Sequence, residues 1–314
     1  MIRKEEFTFD SRDGQSKIHA IRWVPEGKTI GVLQIAHGMA EYIDRYDEVA
    51  RFFAERGFVV TGEDHLGHGK SVSEGGTYGY FCKQDPATVA VRDVHRLKKI
   101  TQEKFPGLPY MILGHSMGSF MLRNYLFRYG SGIQGAVICG TGYVPQPLIV
   151  SGLMIAKVQG FLLGDKHVSK LLDKIAFGTY GKRIKNPKTG YDWLAANEET
   201  VDKYMKDPMC GFIFTVNGFK TLFTLIARTN HAENLQKMPK ELPVLFLSGE
   251  EDPVGDYGKG VTKAYGDFEK ADMKRIGMKF YAGSRHEIFN EKNREEVCKE
   301  LYSWILKRVE EHQN

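Results

Sequence analysis

The pentapeptide Gly114-His115-Ser116-Met117-Gly118 constrains this chain more than any other stretch. It lies between the apolar run Tyr110-Met111-Ile112-Leu113 and a helix-like segment from Ser119 to Tyr129. A serine on a tight strand-to-helix turn needs neighbours without bulk, and glycines two residues to either side let the backbone pass while Oγ stays exposed. Such a turn predicts a nucleophile. A serine nucleophile in turn needs a base to take its proton and a carboxylate to orient that base.

Both lie downstream, each at the end of a strand-like run. Pro243 to Gly249 reads as a buried strand that breaks into a loop carrying Glu250, Glu251 and Asp252, and Met278 to Tyr281 is followed by Ala282-Gly283-Ser284-Arg285-His286. Gly249 lets the chain turn and Pro253 stiffens the far side, which places Asp252 at the loop tip. Asp252 is the expected acid, with Glu251 as the alternative, and His286 is the expected base. The order serine, acid, histidine is that of the α/β-hydrolase arrangement and not of the chymotrypsin or subtilisin types. An oxyanion also needs backbone donors. The strand-like Ile30 to Ala36 ends in His37-Gly38-Met39-Ala40, so the amides of Met39 and Met117 are the expected oxyanion hole.

These residues resemble the monoglyceride lipases and lysophospholipases of the serine α/β-hydrolases. The resemblance is carried by His37 to Glu41 with Arg45-Tyr46, by Asp64 to Ser71, by the Ser116 turn, by Gly249 to Val254 and by Tyr281 to Glu287. It extends to Lys188–Leu194 and Asp207–Phe212, which look like bacterial members described as lysophospholipases. It implies the same roles for Ser116, Asp252, His286, Met39 and Met117.

Strand-like runs centre near Phe7, Ile21, Leu33, Val59, Ile112, Val137, Phe246 and Phe280, and the last six alternate with helices. Tyr46, Val49, Ala50, Phe53 and Ala54 form one apolar stripe, and Val297, Leu301, Trp304, Ile305 and Val309 another, both at helical spacing. The expected fold is α/β: a mostly parallel eight-stranded sheet flanked by helices, with the reactive loops at the carboxyl ends of the strands. The alternation fails between Tyr143 and Glu233. That interval is expected to be a helical cap inserted before the acid-bearing strand, leaving 1–142 and 234–314 as the catalytic core and 143–233 as the cap.

Within the cap, Leu148 to Leu163 is apolar around most of its circumference, yet at 16 residues it is short of the roughly 20 that a bilayer needs. It must be buried, line an acyl pocket or rest on a lipid surface. Leu148, Val150, Phe212, Phe219 and Phe223 are expected to contact substrate. An apolar tunnel over Ser116 would select acyl chains by length, at about 0.8 kcal/mol per buried methylene. Residues 145–190 hold eight cations against Asp165 and Asp173, a net of +6 in a chain whose total is +5. That suits transient contact with a membrane or lipid aggregate, whereas no base-stacking platform accompanies the charge and nucleic acid is not an expected partner.

Other motifs dissolve on inspection. Gly130-Ser131-Gly132-Ile133-Gln134-Gly135 matches a dinucleotide pattern but follows a helix and precedes a strand, the reverse of what phosphate binding requires. His65 and His68 lack further ligands for a metal, and neither a metal nor a cofactor is expected. Cys82, Cys139, Cys210 and Cys298 are widely spaced, and the charged Met1-Ile2-Arg3-Lys4-Glu5-Glu6 lacks the apolar stretch of a secretory signal. The expectation is a cytoplasmic protein with reduced thiols, peripheral at membranes if bound there at all. The function expected is hydrolysis of acyl esters of lipid-like substrates, monoacylglycerols or lysophospholipids, through an acyl-enzyme. A small-ester carboxylesterase or a serine aminopeptidase-like hydrolase is the alternative. An aminopeptidase would want an acidic patch where this cap is basic, and a non-enzymatic binding module would have lost one of the three groups.

Overall fold

Successive side chains along each strand point to opposite faces of one sheet, and helices cover both faces, so the central strands are mostly apolar runs buried throughout. The computed structural model describes residues 1–313. The strands are β1 (Ile2–Asp10), β2 (Lys17–Pro25), β3 (Gly31–Ala36), β4 (Phe58–Glu63), β5 (Tyr110–His115), β6 (Gly135–Cys139), β7 (Val244–Gly249) and β8 (Ile276–Tyr281). They form one sheet in the order β1-β2-β4-β3-β5-β6-β7-β8. Only the pairings of β2, with β1 and with β4, are antiparallel. The five pairings from β4 through β8 are parallel. Every expected strand centre falls inside one of these strands.

The helices are α1 (Asp47–Ala54), α2 (Pro86–Lys104), α3 (Met117–Tyr129), α4 (Gln146–Leu163), α5 (Lys170–Phe177), α6 (Glu198–Lys206), α7 (Val216–Thr229), α8 (Ala232–Gln236), α9 (Lys259–Lys270) and α10 (Arg294–Gln313). On one face Val32, Ile112, Ile138 and Phe246 pack with Val94 of α2, Met121 of α3 and Phe268 of α9. On the other, Leu33, Leu113, Val137 and Leu247 pack with Phe53 of α1 and with Val297, Leu301 and Ile305 of α10. The two stripes read from the sequence therefore meet in one core. Buried aliphatic and aromatic side chains of this size contribute about 1.5–3 kcal/mol each relative to exposure.

Between β6 and β7 the chain leaves the sheet and runs through α4 to α8. Helix α4 extends the apolar run to 18 residues, so by length and composition alone it could cross a membrane. It instead docks along α7 by one narrow face, where Ile149, Gly152 and Ala156 are buried. Gly152 permits this approach, since a Cβ would meet the ring of Phe223 at 2.9 Å and force it to shift.

Candidate active site

Four parallel strands end at the same edge of the sheet, and the turn after each delivers one part of the site. Register sets the spacing. Ala36 of β3 is level with Gly114 of β5, which puts the turn after β3 beside the turn after β5. Ser116 occupies that second turn at φ 53°, ψ −118°, a strained conformation for a residue with a Cβ. Its neighbours explain why the chain tolerates it. A Cβ on Gly114 would overlap the carbonyl of Gly118, and one on Gly118 would overlap the carbonyl of Ala36. Only glycine lets β5, α3 and the β3 loop approach this closely. The Ser116 amide is anchored to Cys139 O at 3.0 Å.

Asp252 and His286 come together across the ends of β7 and β8. Asp252 is fully buried, its Oδ2 lies 3.0 Å from His286 Nδ1, and its Oδ1 accepts the Val254 amide at 2.8 Å. This arrangement fixes the imidazole with Nδ1–H toward the acid and leaves Nε2 as the basic nitrogen. Glu250 and Glu251 stay in solvent, and Glu251 is 3.7 Å from the Arg285 guanidinium. Glu251 therefore has no part in this pair.

Ser116 and His286 line one cavity of about 380 Å³, together with Met39 and Met117. Met117 is the first residue of α3, whose amide has no acceptor within the helix, and Met39 N has no acceptor among the described residues. Gly38, by contrast, gives its amide to Glu41 Oε1 at 2.6 Å. That bond turns the loop so that the next amide, at Met39, is left free.

Around this sits a buried ionic network. Arg45 donates to Glu41 at 2.5 Å and holds Glu287 through two bonds of 2.8 Å. Tyr46 donates to Glu41 at 2.9 Å, and His115 Nδ1 lies 2.9 Å from the Tyr46 oxygen and 3.3 Å from Glu41. Burial opposes charge on His115, but hydrogen bonding and attraction from Glu41 more than offset it and raise its pKa above the usual histidine value. The Arg45 charge likewise overcomes burial at Glu41 and holds its carboxyl well below the usual range. Chain neighbours of Ser116 and His286 are thus linked through one guanidinium and two carboxylates.

His37, His65 and His68 form a second cluster, with His37 stacked on His65 at 4.0 Å. Burial lowers His65 to about 4 and His68 to about 3. Neutral rings suit hydrogen bonding, and His37 Nε2 accepts the His65 amide at 3.1 Å. The cluster braces the oxyanion loop against the turn after β4. No group of metal-binding geometry occurs among the described residues.

The segment between β6 and β7 closes the cavity from above. Tyr204 Oη and the Gly211 amide both donate to Ala40 O at 3.0 Å, and the Glu287 amide donates to Leu194 O at 2.7 Å. The Trp193 ring stands 5.3 Å from that of His286. Of the expected substrate contacts only Phe212 lines the cavity. Leu148 and Val150 are corrected: they point to solvent, 63% and 47% exposed, because the face of α4 that docks is the one bearing Ile149 and Gly152. Phe219 and Phe223 pack in the interior of the helical segment instead, with ring centroids 5.8 Å apart. The apolar wall is supplied by Phe120, Val144, Phe177, Leu222, Ile226 and Val254.

A family model described as serine aminopeptidase, S33, matches residues 27–293. A monoacylglycerol lipase of Mycolicibacterium smegmatis is 27% identical, with 98% of each chain covered. The human monoglyceride lipase is 27% identical, covering 91% of this chain and 86% of its own. Among solved structures, a thermostable carboxyl esterase from Bacillus coagulans in complex with glycerol superimposes with a TM-score of 0.91 at 30% identity, covering 98% of this chain and 99% of that one.

Proposed function

The chain belongs to the serine aminopeptidase S33 family of serine hydrolases, and we propose that it hydrolyses carboxylic esters of lipid-like substrates, monoacylglycerols or lysophospholipids, through an acyl-enzyme. The observation that carries this reading is the buried Asp252–His286 pair at the wall of a mostly apolar cavity that also presents Ser116. Its relatives among the monoglyceride lipases support the same substrate class.

In the proposed reaction Ser116 Oγ attacks the ester carbonyl carbon while His286 Nε2 takes its proton. The carbonyl π electrons move to oxygen, where the Met39 and Met117 amides stabilise the charge. Collapse breaks the bond to the alcohol oxygen, which leaves with the proton from His286. Water then adds to the acyl carbon, giving a proton to His286, and collapse releases the fatty acid and returns the proton to Ser116. Asp252 holds Nδ1–H throughout and stabilises the imidazolium formed in each half.

We take residues 143–233 as a cap that forms the acyl-facing roof. We also place the protein in the cytoplasm, in transient contact with membranes through α4, where Phe161 is 89% and Leu162 68% exposed. The test is labelling by a fluorophosphonate, expected at Ser116 and absent in Ser116→Ala. A panel of p-nitrophenyl esters, monoacylglycerols and lysophosphatidylcholines then fixes the substrate. Activity confined to acetate esters would reject the lipid assignment.

A further inference from the structure

Three carboxylates line the catalytic cavity, and two of them, Glu41 and Glu287, are taken by Arg45. The third, Asp173 of α5, has no cationic nitrogen within 4 Å and accepts no side-chain or amide hydrogen bond among the described residues. Its chain neighbours Lys170 and Lys174 are exposed and do not reach it. Burial raises its carboxyl above the ordinary value, with no partner to offset the cost.

Aromatic side chains line the same cavity. Phe177, one turn further along α5, lies 5.5 Å from Tyr180, which in turn meets Trp193 at 5.1 Å, and all three line the cavity. Tyr191 lines it too, and after burial the charge of Asp173 is the cause that raises its hydroxyl. A carboxylate without a protein partner, in a cavity also lined by aromatic rings, is complementary to a cation, because both the charge and the ring quadrupoles attract it. A neutral polyol would satisfy the carboxylate alone and leave the rings unused.

We propose that Asp173, with the rings of Tyr180, Tyr191 and Trp193, selects ester substrates whose alcohol portion carries an ammonium group. The inference rests on the ester-hydrolase reading above and narrows it to choline-like or ethanolamine-like headgroups. Asp173 also stands in the first turn of α5, where a carboxylate favours the helix dipole. A ratio of two substrates separates recognition from that structural contribution.

The experiment compares decanoylcholine with 3,3-dimethylbutyl decanoate, which replaces the ammonium nitrogen by carbon. The wild-type protein is expected to favour the cation in kcat/KM by about tenfold, mainly through KM. Asp173→Asn should bring the ratio near one, and Asp173→Glu should keep most of it. A wild-type ratio at or below one overturns the proposal with no variant needed, as does a preference that survives Asp173→Asn. Cleavage of leucine p-nitroanilide, lost in Asp173→Asn, would reassign the carboxylate to a peptide amine and overturn the headgroup assignment. Failure to cleave either decanoate ester would instead bring down the ester-hydrolase reading, and this inference with it.

Discussion

The imidazole of His115 stands 4.7 Å from that of His286, and its Nε2 donates to the backbone oxygen of His286 at 3.2 Å. The residue before the nucleophile therefore fixes the loop that carries the base. A raised pKa lets both ring nitrogens of His115 act as donors, Nδ1 toward Tyr46 and Glu41 and Nε2 toward His286.

Replacing His115 by Asn should remove about 1.5–3 kcal/mol of charge-assisted bonding, and kcat should fall about tenfold or more with KM less affected. The pH dependence has a definite sign. Because the folded pKa is above the unfolded one, the stabilisation is complete at pH values below the unfolded pKa and disappears as pH rises through the folded one. Melting temperatures of wild type and His115→Asn should converge as the solution is made alkaline. A gap that widens there would show that the ring is not held charged.

Asp252 and Glu251 are adjacent in sequence but differ in environment. Asp252→Asn should lower kcat by about three to four orders of magnitude, because the amide can favour the wrong imidazole tautomer. Glu251→Gln should change it by less than twofold, since Glu251 is exposed and approaches Arg285 only to 3.7 Å. Steady-state rates on one soluble ester suffice, and the reverse ranking would transfer the orienting role to Glu251.

Glu63 ends β4 fully enclosed, with neither carboxyl oxygen hydrogen-bonded among the described residues. Burial, with a smaller contribution from Asp64, pushes its pKa up to about 8. The native state then holds a proton that the unfolded chain releases above its ordinary value near 4.3, so stability falls as pH rises between those values and levels off above them. Glu63→Gln should remove that slope. Relative to wild type the variant should gain on the order of 4 kcal/mol on going from pH 4.5 to 8. Parallel unfolding curves across that range would contradict a protonated Glu63.

The sheet and the Ser116 turn were legible because their signals are local. Strand, glycine, serine, glycine and helix follow one another within about twenty residues, and each parallel strand is a short apolar run. The partnership of Arg45 with Glu287 was not legible, since it joins positions 242 residues apart. Glu41 and Arg45 at helical spacing, with Glu287 directly after His286, offered the only hint. Helix α4 failed for a different reason. A sequence apolar on all sides carries no periodicity to say which side docks, so Leu148 and Val150 were indistinguishable from Ile149. Asp173 was visible only as one negative charge in a basic window, and its place in the cavity depends on how α5 is held over the sheet.

That same helix carries the last prediction. Leu148, Met154, Val158, Phe161 and Leu162 are exposed on α4, and Leu171 and Ile175 continue the apolar surface on α5. Lys157, Lys170 and Lys174 accompany them, all exposed. Burying one large side chain in a lipid interface is worth about 1.5–3 kcal/mol, and each lysine near an anionic surface adds about 1 kcal/mol. Phe161→Ser should therefore weaken sedimentation with phosphatidylglycerol-containing vesicles by roughly tenfold or more. It should leave cleavage of a soluble p-nitrophenyl ester within about twofold, since Phe161 lies outside the cavity lining. Raising the salt concentration should weaken the lysine contribution and leave the aromatic one. Vesicle binding indifferent to both changes would remove α4 from the lipid contact.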